Sequence, residues 1–276
     1  MQYGFFLSKI IRGLYFFGFS GLLFNKILDP LYFFIFKKTM LVHWYPFGKK
    51  KLPDSHRALL QGNFTFYKRL PDEKKSQFDH RAFKFLEKYE FVGLEIEVTE
   101  EMKTLLAGYY VMLTFGMRKY LVDNFKKIII HPSVYYSSQT DNYHKGEYNR
   151  VLKAVVFSWE DFSSGHENKN DNVNLALHEF THVLHWNALR SNEMSAIVFY
   201  DEFREIFEIF KNEQKMQAIM ETGYLRNNAY ENQFEFLSVI LEHFFESPEI
   251  FKARLPDLFE RTRKMINYDE KLLYSN

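Results

Sequence analysis

The 276-residue chain contains no cysteine. That excludes disulfides, thiolate metal sites and thiol nucleophiles together, and it suits a reducing compartment. Long uncharged apolar runs are missing as well. Arg12, Lys26 and Asp29 interrupt the aromatic first 48 residues, and the stretch from Gly13 to Asn25 spans only 13 residues. A bilayer-crossing helix needs roughly 18–20. No small-residue cleavage site marks a secretory signal. Beyond residue 51 there are 34 acidic against 28 basic residues and no basic stripe, so nucleic acid is not an expected partner. Internal repeats and low-complexity tracts are also absent.

What is present is apolar mass: 46% hydrophobic and 19% aromatic residues, enough for a sizeable core. The net charge of +1 hides an asymmetry, because residues 1–51 carry eight Lys or Arg against one Asp. Residues 1–50 therefore read as an aromatic, basic, membrane-associated segment. The favoured form is a helix pair lying on anionic lipid, anchored by Lys37, Lys38 and Lys49 to Lys51. A short imperfect span and a hairpin packed on the main domain are the alternatives. PFGKKKLP, from Pro46 to Pro53, looks like a linker, so a second unit is expected over residues 51–276. The expected location is the cytoplasm, at the cytoplasmic membrane face.

Helical patterns run over Arg57 to Leu70 and Asp72 to Tyr89, and again from Thr99, a good N-cap, to Gly116. Alternation suggests a strand at Glu95 to Val98, and β-branched runs suggest two more, Lys126 to Pro132, closed by proline, and Arg150 to Ser158. The last is the candidate sheet edge for holding a peptide as an added strand. Ser137 to Tyr148 and Ser163 to Asp171 read as polar loops. The remainder reads helical over Val198 to Lys211, Asn228 to Phe245 and Asp257 to Ile266. The expected fold class is α+β: a small mixed sheet with a mostly helical remainder.

The stretch from Asp171 to Asn187 carries the chemistry. His178-Glu179-Phe180-Thr181-His182 is an H-E-x-x-H sequence. Histidines four apart share one helix face, about one turn from each other. Both can reach one metal ion, while the intervening Glu179 can take a proton from water held there. Asp171 and Asn172 are candidate N-caps, and Val173, Leu177, Phe180 and Leu184 form the apolar stripe.

A catalytic zinc site needs a third protein ligand. His185 fails on distance, lying about 10.5 Å along the axis from His178. Glu202, 20 residues after His182, has a thermolysin-like spacing, but Ile206 stands where those enzymes carry Asp. Glu235 and Glu242 sit seven apart on a strongly apolar helix, where acids are costly unless paired or metal-bound. That favours Glu235 as ligand, with Glu242 orienting a ligand histidine.

From about Asn63 to Ile266 the chain resembles the Mlc titration factor A family of zinc peptidases, whose catalytic core is similar to that of anthrax lethal factor. The resemblance rests on Phe66 to Leu70, GLEIEVTEEM at Gly93 to Met102, Val155 to Asp161, NLALHEFTH at Asn174 to His182, and EFLSVILEHFFE at Glu235 to Glu246. It implies a zincin-like metallopeptidase with His178, His182 and Glu235 as zinc ligands and Glu179 as general base. The family usually has a tyrosine seven residues before the ligand Glu, thought to stabilise the oxyanion. Asn228 stands there instead, with Tyr230 and Tyr224 nearby as substitutes. The expected function is an aminopeptidase-like or limited endopeptidase. The alternative is a binding protein with weak hydrolysis that sequesters a partner such as a transcriptional regulator.

Overall fold

A four-stranded sheet and two helices packed across it position the residues of interest. The computed structural model describes residues 27–36, 38–137, 141–168 and 171–272. The aromatic residues 1–26 lie outside them. The strands are β1 (Glu90–Gly93), β2 (Lys127–His131), β5 (Gly146–Asn149) and β6 (Ala154–Ser158), in the spatial order β1-β2-β6-β5. β1, β2 and β6 are parallel, and β5 closes the sheet antiparallel to β6. Between β2 and β5 a separate hairpin joins β3 (Tyr135–Ser137) to β4 (Asn142–His144).

The helices in chain order are α1 (Asp29–Phe36), α2 (Asp54–Asn63), α3 (Thr65–Arg69), α4 (Asp72–Lys88), α5 (Glu100–Thr114), α6 (Trp159–Glu167), α7 (Leu175–Ala188), α8 (Met194–Lys211), α9 (Glu213–Glu221), α10 (Gln233–Glu246), α11 (Pro248–Arg254) and α12 (Pro256–Met265). Three-residue and four-residue 3₁₀ turns cover Glu270–Leu272 and Asn227–Tyr230. The chain is thus mixed α+β, mostly helical with a small mixed sheet, as expected.

Several local expectations need correction. The sheet edge is β5, not Arg150 to Ser158. β6 is buried along its whole length between β2 and β5, which explains its run of Ala-Val-Val-Phe: a strand covered on both faces has no reason to alternate. β5 lies inside the stretch read as loop, because Gly-Glu-Tyr-Asn carries little strand propensity of its own. The first strand is Glu90–Gly93 rather than Glu95 to Val98. Glu95 sits at φ +61°, in the left-handed region that ends a strand. A Cβ on Gly93 would meet the carbonyl oxygen of Ile96 at 2.0 Å, so only glycine fits this turn.

The helix from Asn228 to Phe245 is broken. Asn232, extended at φ −162°, caps α10 by accepting from the N–H groups of Phe234 and Glu235. Arg57 to Leu70 is likewise divided, by the extended Phe64. Part of the Ser163 to Asp171 loop is helix α6, capped by Ser158. The cap of α7 is Asn174, whose side chain accepts from Leu177 N–H at 3.1 Å. Asp171 and Asn172 precede it, and Val173 is exposed.

The core holds α7 against the sheet through aromatic contacts. The ring of Phe180 lies 5.5 Å from Phe157 of β6 and 5.0 Å from Tyr110 of α5. Leu177, Phe180 and Leu184 are buried on this face, so their helical spacing fixes how α7 is rotated. The fully buried Arg81 donates to the carbonyls of Val42, Thr114, Phe115 and Met117. That network satisfies a guanidinium group which would otherwise be costly to bury, and it ties the chain near residue 42 to the core. Arg118 similarly bridges Asp29 at the start of α1 to Glu193 at the start of α8.

Candidate metal centre

His178 and His182 project from α7 toward the first turn of α10. Their rings lie 4.9 Å apart. The Nε2 atom of His178 is 3.2 Å from one oxygen of Glu235, and that of His182 is 3.4 Å from the other. One ligand atom from each of the three residues falls within 4.8 Å of the others. Ligands about 2 Å from a tetrahedral ion stand about 3.3 Å from each other. Two imidazoles and one carboxylate at these separations could hold a metal ion.

Glu242 explains why His178 points there. It lies two turns after Glu235 on α10 and is 0% exposed. Its Oε1 is 2.9 Å from Nδ1 of His178. One helix thus serves both nitrogens of a single imidazole: Glu242 engages Nδ1 and Glu235 faces Nε2. Arg226 in turn donates to both oxygens of Glu242, at 2.8 and 2.6 Å, and the N–H of Asn174 adds a third bond at 2.7 Å. The cap residue of α7 is therefore tied to the acid that aims the first histidine. Ser238 also donates to the His178 carbonyl.

The charges are set by burial against these contacts. Burial disfavours the charged form of His178, but Glu235 and Glu242 outweigh it and push its pKa up to about 10. Burial opposes the carboxylate of Glu235 too, and the two histidines hold its pKa well below the usual range. Glu179 is buried, and desolvation raises its pKa against the opposing pull of His182 and His178. That is the direction a proton-accepting carboxylate near neutrality requires.

His178, Glu179, His182 and Glu235 line a cleft of about 620 Å³ together with Gly146, Tyr148, Arg150, Trp186, Leu189 and Phe234. Among the described residues β5 is an edge strand of the sheet, and it passes beside Glu179. At Gly146 the backbone passes so close that a Cβ would stand 2.8 Å from Glu179 Oε1.

The remaining candidates separate clearly. His185 lines the cleft but is buried between the rings of Phe203 and Phe234, and burial lowers its pKa to about 4. Glu202 faces away and pairs with Arg261 at 3.3 Å. The side-chain oxygen of Asn228 accepts from Arg226 Nε at 2.7 Å. Tyr224 bonds Ser247 at 2.7 Å. The hydroxyl of Tyr230 is buried and has no hydrogen-bond partner among the described residues.

Sequence reasoning did not single out Arg226, Asn174, Gly146 or Tyr135. The Tyr135 hydroxyl is also buried without a partner among the described residues. Burial, then the charges of Glu147 and Glu179, raises its pKa. Asn174 opens the NLALHEFTH motif, but its role as cap and as partner of Glu242 shows only in the contacts; Arg226, Gly146 and Tyr135 stand at no motif spacing from the histidines.

Comparison with known proteins places the chain among peptidase relatives. The chain is 24% identical over 243 residues to an uncharacterized protein of Synechocystis, covering 80% of this chain and 88% of that protein. It is 21% identical over 232 residues to the Mlc titration factor A proteins of Yersinia pestis and Yersinia pseudotuberculosis, covering 78% of this chain and 84% of theirs. The model of the glucose-regulated metallo-peptidase M90 family matches residues 43–266, and the chain belongs to that family.

Proposed function

We propose that this protein is a zinc-dependent peptidase with a zincin-like catalytic domain, of aminopeptidase-like or limited endopeptidase specificity. The observation that carries the reading is the convergence of His178, His182 and Glu235 on one point, beside a buried Glu179 and a free strand edge. When bound, the ion supplies Lewis acidity, polarising the peptide carbonyl and acidifying a water molecule. Glu179 takes the proton of the attacking water as the new C–O bond forms. It then delivers that proton to the amide nitrogen as the C–N bond breaks. The edge of β5 holds the substrate backbone as an added strand. Tyr230 donates to the developing oxyanion, with Asn228 helping to place Arg226 and the turn that carries Tyr230.

Full-length protein should contain one zinc per chain and cleave chromogenic peptides. Glu179→Gln should keep the zinc and lose about 10²–10⁴-fold in kcat. Unchanged cleavage by this variant would overturn the assignment.

A second reading follows from the relatives named Mlc titration factor A: a binding protein that captures a transcriptional regulator and hydrolyses weakly. Asn228, standing where the family has its tyrosine, favours it. Capture of a regulator by Glu179→Gln, with no detectable cleavage by wild type, would select this reading.

We also assign residues 1–50 to a membrane-surface segment and residues 51–276 to the peptidase unit, acting at the cytoplasmic face. The supporting observation is an exposed apolar face: Phe34 is 74%, Trp44 65% and Phe47 100% exposed, next to Lys49, Lys50 and Lys51. No helix among the described residues is long and apolar enough to cross a membrane. Full-length protein should float with anionic vesicles and detach in high salt. Failure to bind them at low salt would remove the assignment.

A further inference from the structure

Beyond the metal ligands the cleft changes character. Trp186 follows His182 by one helical turn, and two guanidinium groups lie over its indole: Arg150 at 4.4 Å and Arg190 at 4.1 Å. Both arginines are exposed, and neither has an ion pair among the described residues. Arg118, Arg226, Arg261 and Arg263, by contrast, are each paired with a carboxylate. The cleft contains carboxylates too, from Glu147 to Glu235, yet none comes within ion-pair distance of Arg150 or Arg190.

Stacking on an indole fixes a guanidinium by its flat face and leaves its N–H edge free for a planar anion. Two such groups on one ring repel each other, and an anion bound at the N–H edge of Arg150 in the cleft would offset that repulsion. Arg150 lines the cleft that contains His178 and His182. It also follows β5, whose first residue touches Glu179. Four residues of strand span about 13 Å.

We propose that Arg150, together with Arg190 and Trp186, forms a subsite for a carboxylate of the peptide substrate, three to four residues from the scissile bond. The preferred substrates are acidic peptides. This rests on the peptidase reading, to which it adds a substrate class.

The test uses full-length, zinc-loaded protein and fluorescein-labelled peptides that differ only by Glu, Gln or Lys at those positions. Binding is followed by anisotropy in the Glu179→Gln protein, and cleavage in wild type. The Glu peptide should bind about tenfold more tightly than the Gln peptide at low salt, with a smaller ratio at high salt. Arg150→Gln should bring the ratio close to one. Arg150→Glu should invert it in favour of the Lys peptide, a gain that misfolding cannot produce. Equal binding and cleavage of the Glu and Gln peptides by proteins with Arg150 intact would overturn the subsite while leaving the peptidase reading in place. A protein that neither binds nor cuts any of the peptides would overturn both.

Discussion

Glu242 lies 2.9 Å from Nδ1 of His178 while Arg226 grips both of its oxygens. The pair Glu242–His178 converts a buried acid into an aiming device, because it fixes the imidazole with Nε2 toward Glu235. Removing the acid leaves all three ligand side chains in place. Glu242→Gln should therefore weaken zinc binding about 10–100-fold without changing its stoichiometry at saturating metal, as measured by competition with a chelator. Arg226→Met leaves the buried carboxylate short of its cation, and should lower unfolding stability by about 3 kcal/mol.

Zinc binding should release a proton. In the metal-free protein His178 is held charged up to a pKa of about 10, and a ligand histidine must be neutral. Apparent zinc affinity should rise with pH toward about 10, by up to tenfold per unit. Calorimetry in buffers of different ionisation enthalpy reads the proton directly. The stability of the metal-free protein should move the other way. The folded-state pKa lies above the ordinary 6.5, so this contribution is complete below about pH 6.5 and fades as pH rises toward about 10. A metal-free melting temperature that climbs across that range would contradict the assignment.

Gly146→Ala should damage catalysis without touching a ligand. Its Cβ would stand 2.8 Å from both Glu179 Oε1 and Leu175 Cδ1, so Glu179 must shift. A displacement of this size at the proton acceptor costs on the order of 10²-fold in kcat. Zinc content should be unchanged.

Tyr230 and Tyr135 offer two buried hydroxyls with no partner among the described residues. Tyr230→Phe should lower kcat by about 10²–10³-fold with little change in KM, the pattern of a donor used only in the transition state. Tyr135→Phe should have the smaller effect. The opposite order would transfer the oxyanion role to Tyr135. Neither change removes a hydrogen bond from the fold, so melting temperatures should stay close to wild type.

The metal helix was readable from the sequence because its geometry is local. A four-residue spacing puts His178 and His182 on one face in any α-helix. The stripe of Leu177, Phe180 and Leu184 says which face turns inward. Glu235 and Glu242 were suspect for a similar reason: acids in an apolar helix need partners. The strands around Ile128 and Val155 announced themselves by β-branched content. β5 did not, because Gly146 to Asn149 becomes a strand only by pairing with β6.

By itself, then, the sequence determined a helix presenting two imidazoles and a carboxylate between them, and a second helix with two acids in need of partners. Only tertiary structure decided that these helices cross so that one imidazole meets both acids. It alone brought Arg226 to Glu242 and Gly146 to Glu179, and set Arg150 and Arg190 over Trp186. The difference is physical. Helical spacing is dictated by bonds three or four residues apart. Contacts between α10, β5 and α7 depend on how the aromatic core around Phe180 packs the elements together, and no local pattern records that packing.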